Sequence, residues 1–224
     1  MDTAEFLDKW TTQDVCYNKR DLLLYAVGIG CDETRFIYEN HDDFAAFPTY
    51  PIVCAFTGMD EDVVSFPSEA MSQGPAMPGL PGIKTVLDGE RYIEMVNPLD
   101  VDGATLKLHT RNVGVHRRGS GASIESEAKL TDASGKKVYY IIRSGAFAVG
   151  AKDFKDSGIS FSEKVAIPAR APDAVEEFKE ARSNGIKHRE EHVIQGETWT
   201  LHFFNDSTLM AGWLTTGYRM VEKD

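Results

Sequence analysis

Cysteine is scarce. Cys16, Cys31 and Cys54 are an odd count of three, widely spaced, with no C-x-x-C pair. That argues against a disulfide scaffold and reads as reduced thiols in an intracellular protein. Basic charge is also short: 24 Lys and Arg stand against 35 Asp and Glu, a formal net charge of -11. A general phosphate-backbone binder has a basic footprint, so nucleic acid is not expected as a partner. A local basic pocket for a small phosphorylated ligand stays open. No run of 18 or more apolar residues occurs, so no membrane span is expected. The opening Met-Asp-Thr-Ala-Glu-Phe-Leu-Asp-Lys-Trp lacks a basic region followed by an apolar run, and no secretory signal is expected there. The final Val-Glu-Lys-Asp is not a peroxisomal Ser-Lys-Leu-type tail.

What is present can build a core, since 42% of residues are hydrophobic and 10% aromatic. The length of 224 residues suits one sizeable domain or two small ones. The clearest local signal is Asn18 to Gly30. Asn18 is a good helix N-cap, because its side-chain oxygen can accept from a free N–H of the first turn. Asp21 can bond back to the cap and offset the helix dipole. Leu22 to Val27 has no polar face, which predicts a helix wrapped on nearly all sides. Gly28 and Gly30 supply the stop. A short helix enclosed by sheet is the centre of a hot-dog fold. An ordinary core helix of another α+β domain fits these residues equally well.

Residues 1–16 are polar around Phe6, Leu7 and Trp10, and are expected to pack loosely. Asp32 follows the helix, but no histidine or metal-ligand pattern accompanies it, so it reads as a solvated loop carboxylate. Phe47-Pro48-Thr49-Tyr50-Pro51 is a rigid turn. Ile52 to Phe56 is either a strand or a second buried helical turn. Residues 66–82 are rich in turn formers. Met71, Met77 and Leu80 there either lie over an apolar ligand or belong to a disordered insertion.

From about Thr85 the pattern turns strand-like. Arg91–Val96, Ala104–Val115, Ala122–Leu130 and Lys137–Val149 are strand candidates, with short turns at Arg117-Arg118-Gly119-Ser120-Gly121 and at Asp132–Gly135. Consecutive strands with short turns imply an antiparallel sheet. A helix followed by a meander gives an α+β class. Val165–Pro172 reads as extended, and Ala174–Ala181 as a short helix. The expected organisation is a hot-dog domain over 1–162, a linker with a short helix over 163–185, and a C-terminal extension over 186–224.

His188-Arg189-Glu190-Glu191-His192 matches H-x-x-E-H, in which two histidines on one helix face could bind zinc with Glu191 as base. Gly185 and Gly196 bracket it to barely two helical turns, so a charged surface turn is preferred. No metal and no cofactor is expected. His109 and His116 fall on strands without partners visible in the sequence.

Several stretches together resemble the type-2 enoyl-CoA hydratases, the MaoC-like proteins and peroxisomal multifunctional enzyme type 2. They are Tyr17-Asn18-Lys19-Arg20-Asp21 with Leu24-Tyr25-Ala26-Val27-Gly28-Ile29-Gly30, then Phe47-Pro48-Thr49-Tyr50, Asp88-Gly89-Glu90-Arg91-Tyr92, Gly119-Ser120-Gly121 and Val165–Val175. They fall in the family's order and cover about residues 15–178. The resemblance implies a double hot dog, two halves each with a helix wrapped by an antiparallel sheet. It implies hydration of trans-2-enoyl-CoA to (3R)-3-hydroxyacyl-CoA within fatty-acid β-oxidation. The acid/base pair of such enzymes lies in the second half, in a motif of the form Asp-x-Asn-Pro-Leu-His.

This sequence resembles the first half. Asn97-Pro98-Leu99 sits at a strand end with no preceding helix, and Asn205-Asp206 lacks the proline and histidine. Water addition needs a carboxylate and an imidazole on one water, and no residue is nominated as catalytic. Three positions are carried over as acyl-CoA contacts. Asp88 and Gly89 stand where the family has His-Gly, and Arg118 stands where it has a basic residue before Gly-Ser-Gly. A guanidinium forks onto phosphate, which suits Arg118 and its neighbour Arg117. The expected partners are an acyl-CoA or enoyl-CoA and a second hot-dog subunit, as homodimer or heterodimer. The alternatives are a non-catalytic acyl-CoA-binding or interaction module, and an incomplete gene product. The expected location is peroxisomal or cytoplasmic.

Overall fold

A computed structural model describes residues 1–65, 67–158 and 160, and the backbone of 174–179 and 198–203. The chain divides into two compact units, Met1–Ser162 and Glu163–Asp224.

In the first unit the elements run β1 (Thr11–Asn18), α1 (Lys19–Gly28), α2 (Thr34–Ile37), α3 (Cys54–Thr57), β2 (Thr85–Met95), β3 (Gly103–Arg118), β4 (Gly121–Thr131) and β5 (Val138–Val149). Short 3₁₀ turns lie at Ala4–Phe6, Tyr50–Val53 and Glu69–Gln73. The five strands form one sheet in the order β1-β3-β4-β5-β2. Every neighbouring pair is antiparallel. One helix held against this sheet order is an α+β hot-dog fold.

The local signals around α1 produce the helix. Asn18 Oδ1 accepts from the Asp21 N–H and Asp21 Oδ2 accepts from the Asn18 N–H, a reciprocal capping box. At the far end Gly30 takes φ +79, its N–H donates to Val27 O, and the Cys31 N–H donates to Ala26 O. That is a Schellman stop, with glycine at the left-handed position.

The burial of α1 differs from the expectation. Leu22 and Ala26 are buried, four residues apart on one stripe, whereas Leu24 is 67% exposed and Val27 59%. The sheet covers one side of the helix, so only residues spaced by about a turn face the core. Leu22 packs with Val15, Tyr17, Leu106, Leu130 and Tyr140. Burying such a leucine contributes about 2 kcal/mol.

Other expectations also change. Residues 11–18 are a strand, not loose chain: β1 pairs with β3 from Thr11↔Thr110 to Asn18↔Gly103, with Val15 and Tyr17 buried. Alternating Gln13, Val15 and Tyr17 point inward, a period-2 signal hidden by the polar residues between them. Ile52–Phe56 takes the helical alternative, as the end of a 3₁₀ turn running into α3. Within 66–82, Leu80 is buried in a second apolar cluster with Val115, Ile124, Ala148 and Phe154. Met71 and Met77 are exposed. Asn112 Nδ2 donates to Ala76 O at 2.9 Å and so fastens this loop to β3.

In the second unit, β6 (Ala174–Lys179) and β7 (Thr198–Phe203) pair antiparallel from Ala174↔Phe203 to Lys179↔Thr198. The helix expected over Ala174–Ala181 is therefore a strand through Lys179. A helix of that length is marginal on its own. A partner strand of threonines and aromatics supplies the backbone bonds instead. Val165–Pro172, His188–His192 and Asn205-Asp206 lie outside the described residues. No helix among the described residues is long and apolar enough to cross a membrane.

Candidate functional site

The motifs that open the chain meet in space. The Tyr25 and Thr49 hydroxyls are 2.7 Å apart. Tyr25 stands edge-on to Tyr50 at 5.5 Å, Tyr50 lies 5.6 Å from Tyr17, and Phe36 lies 5.1 Å from Phe47. Such pairs add about 1 kcal/mol each beyond their burial. The Phe47–Pro51 turn is therefore an aromatic buttress for α1. The Tyr17 hydroxyl donates to Asp100 O at 2.8 Å, tying β1 to the turn before β3.

The interior beside α1 is apolar and slow to ionise. Burial pushes the Cys54 thiol up to about 12, and the Tyr140 phenol up to about 12. Tyr17 and Tyr50 are raised further, again chiefly by burial. These groups stay neutral through the ordinary pH range. They make an apolar wall.

Asp88 and Gly89 lie on β2, an edge strand. The register slips between Asp88 and Glu90, so Gly89 forms a bulge. A side chain on Gly89 would begin 2.6 Å from Gly145 O, which accounts for the glycine sterically. The Asp88 carboxylate is exposed and pairs with Arg91 Nη2 at 2.7 Å.

Arg117 and Arg118 end β3, and they differ. The Arg117 guanidinium donates to Phe154 O and lies 5.3 Å from the Phe154 ring. Its backbone N–H donates to Asp156 Oδ2 at 2.7 Å. Arg118 is exposed, and among the described residues its Nη1 donates to the neighbouring Arg117 O at 3.1 Å. Arg117 is committed to the fold, and Arg118 points a guanidinium outward.

Asp88 and Arg118 are not brought together. Arg118 pairs with Gly121, Gly121 with Val149 and Val149 with Thr85. Three strand spacings of roughly 4.8 Å and three further residues along β2 separate them. One compact ligand group does not touch both. Asp32 is exposed, as a solvated loop carboxylate would be. Among the described residues no cluster of three His, Cys, Asp or Glu is placed to hold a metal.

Sequence reasoning missed a buried polar cluster. His116 is 2% exposed, with Nδ1 3.3 Å from Asp156 Oδ1 and Nε2 3.4 Å from Glu125 Oε2. It is an aspartate–histidine pair within this chain, but both ring nitrogens face carboxylates and no ring face is open to a substrate. His109 also has partners, the hydroxyls of Thr12 at 2.8 Å and Thr131 at 3.1 Å. Only the strand position of each histidine was visible in the sequence. Asp156 lies forty residues from His116 and carries no pattern of its own.

The model of a family described as MFE-2 hydratase 2 N-terminal domain matches residues 16–150. The chain is 36% identical over 195 residues to the probable dehydratase NIT22 of Ajellomyces capsulatus, covering 82% of this chain and 50% of that protein. It is 29% identical over 209 residues to peroxisomal multifunctional enzyme type 2 of Drosophila melanogaster, covering 89% of this chain and 33% of that one. The chain thus spans at most about half the length of these curated relatives. Among solved structures, the MaoC-like dehydratase from Phytophthora capsici superposes with a TM-score of 0.70 at 36% identity, over 80% of this chain and 60% of that one. Full-length multifunctional enzyme type 2 from Drosophila melanogaster shares the fold, with a TM-score of 0.59 at 20% identity over 89% and 44%. The capped helix, its aromatic turn and every strand residue of the five-stranded sheet except Thr11–Val15 of β1 fall inside the matched span, and the chain belongs to the MFE-2 hydratase 2 N-terminal domain family.

Proposed function

We propose that this chain is an acyl-CoA-binding hot-dog domain of the (3R)-specific enoyl-CoA hydratase type. The observation that carries the reading is the contrast between the two arginines. Arg117 is locked to Phe154, while Arg118 extends an exposed guanidinium from the same hairpin, with Nη1 donating to the neighbouring Arg117 O. A phosphate of CoA is the complement of an outward arginine. The apolar wall around α1 suits the acyl chain. Gly89, at its bulge on β2, is the second contact carried over with Asp88.

Among the described residues beside α1 no group is suited to move a proton, so hydration in this reading uses an Asp/His pair from a second hot-dog subunit. The edge strand β2 supports such a partner, with Val86 36%, Leu87 52% and Met95 55% exposed. So do Leu24 and Val27 on α1. A subunit that supplies this pair is a related chain, because another copy of this one would not bring it. Peroxisomal location is proposed from the names of relatives such as enoyl-CoA hydratase 2, peroxisomal, of Arabidopsis thaliana.

A second reading is a binding module without turnover. It is favoured by Asp88, whose anionic carboxylate is paired to Arg91 where family members have histidine. Loss of enoyl absorbance from crotonyl-CoA separates the two. Turnover only when a second hot-dog subunit is added supports the first reading. Binding with no turnover in any mixture supports the module. Turnover by the isolated chain overturns the partner requirement, and no binding overturns both readings.

A further inference from the structure

The face of the sheet that carries α1 holds two separate apolar clusters. The one beside α1 takes Leu108 from β3, Leu130 from β4, and Tyr140 and Ile142 from β5. The other takes Val115 from β3, Ala122 and Ile124 from β4, and Ala148 from β5, with Leu80 and Phe154 against them. Side chains alternate along a strand, so the inward positions of β4 run Ala122, Ile124, Ser126, Ala128, Leu130. Those of β5 run Tyr140, Ile142, Ser144, Ala146, Ala148. Both serines fall between the clusters.

One row crosses the sheet at this level. Asn112 pairs with Ser126, Ser126 with Ser144, and Ser144 with Arg91. Every member is polar, where inward strand positions are ordinarily apolar. The two ends are engaged. Asn112 Nδ2 donates to Ala76 O at 2.9 Å and to Phe6 O at 3.4 Å. Arg91 Nη2 donates to Asp88 Oδ2 at 2.7 Å. The middle is not: among the described residues neither serine hydroxyl has a hydrogen-bond partner. Ser126 and Ser144 are half-buried, as are Ala128 and Ala146 beside them. Solvent therefore reaches the centre of a face whose two flanks are packed.

We propose that this row binds an oxygen carried part-way along an acyl chain, as a hydroxyl or a ketone, with Ser126 and Ser144 as its partners. A chain lying along β4 passes from Ile124 over Ser126 to Ala128, apolar to polar to apolar, within about 13 Å. The matching ligand is apolar on both sides of one oxygenated carbon. Strand spacing sets the two hydroxyls roughly 5 Å apart, which lets one oxygen bond to both. A serine hydroxyl donates and accepts, so it serves a hydroxyl or a carbonyl alike. The oxygen is neutral, because the cation of the row, Arg91, is already paired with Asp88. That the chain arrives as a thioester rests on the acyl-CoA reading of Arg118; the match of the row to an oxygenated chain does not.

Calorimetric titration of the full chain tests this, with dodecanoyl-CoA and with hydroxydodecanoyl-CoA isomers whose hydroxyl lies beyond the third carbon. Each is also used as the free acid, below its micelle concentration. The best-placed isomer is expected to bind roughly ten-fold more tightly than the plain chain, as for one or two neutral hydrogen bonds. In the double variant Ser126→Ala, Ser144→Ala that preference disappears, while affinity for the plain chain stays or rises. Either single variant is expected to weaken the preference and serves should the double variant fail to fold. The ratio of the two affinities is a readout that a merely structural role of the serines would not move. Equal affinity of the wild type for plain and hydroxylated chains overturns the proposal and leaves the acyl-CoA reading standing. An equal loss for both kinds of thioester in the double variant also overturns it, and assigns the serines to the CoA moiety. The expected preference among free acids, with thioesters binding no better than acids, supports the row and overturns the reading of Arg118. No binding of any of these chains overturns both.

Discussion

The hydroxyls of Tyr25 and Thr49 face each other at 2.7 Å, joining the middle of α1 to the aromatic turn. Either oxygen can donate, and the pair is part-buried. Removing one hydroxyl leaves the other facing apolar rings. Tyr25→Phe and Thr49→Val are each expected to cost about 1 kcal/mol. The double variant is expected to cost less than the sum, because the second change removes an already orphaned group. Denaturant titration of all four proteins checks this, and strict additivity would show that the bond carries no coupling.

Much of this unit was legible because its signals are local. Asn18 and Asp21 form a capping box through bonds three residues apart, and Gly30 stops the helix in its own backbone conformation. The strands around Gly119-Ser120 and Asp132–Gly135 are adjacent in sequence, so their turns announce the pairing. What failed was non-local. Leu24 is as apolar as Leu22, and nothing in the string says which one the sheet covers. Ala174–Lys179 has helix-forming glutamates, but pairing with Thr198–Phe203 decides its state. His116 finds Asp156 only because β1 ends early and a distant segment fills the gap.

Arg117 and Arg118 are adjacent and chemically identical, so their environments alone predict opposite phenotypes. Arg118→Ala is expected to leave the melting temperature unchanged and to weaken crotonyl-CoA binding roughly ten-fold, as for loss of one charged hydrogen bond. Arg117→Ala removes the bond to Phe154 O and the contact with its ring, and is expected to lower thermal stability. Calorimetric titration and thermal melts, run on both variants, read the two effects separately. The reverse pattern would sink the assignment.

Cys54 opens α3 with no exposed surface, and burial drives its thiol up to about 12. A raised thiol pKa means the native state holds its proton more firmly than the unfolded chain. That contribution is full below the unfolded thiol value near 9 and is lost as pH rises toward 12. Cys54 is therefore expected to resist iodoacetamide at pH 8 until the chain unfolds, because the thiolate is the nucleophile. Mass spectrometry of alkylated peptides across a denaturant series should show Cys54 labelling track global unfolding. Fast labelling in native buffer would mean that this part of the core opens locally.

The outer face of α1 tests whether a second subunit covers this domain. Leu24 and Val27 are largely exposed, so changing them to glutamate removes no core contact. Leu22, one position of the buried stripe, is the control: Leu22→Ala is expected to cost 2–5 kcal/mol, as for an enclosed leucine. Two exposed aliphatic side chains on one helix face lower solubility unless something packs there. The double change Leu24→Glu, Val27→Glu is expected to preserve the melting temperature and to abolish association, with itself or with a related hot-dog chain. Sedimentation velocity over a hundred-fold concentration range reads this directly. Equal sedimentation of wild type and variant in every mixture would leave α1 without a partner and remove the support it gives to a shared active site.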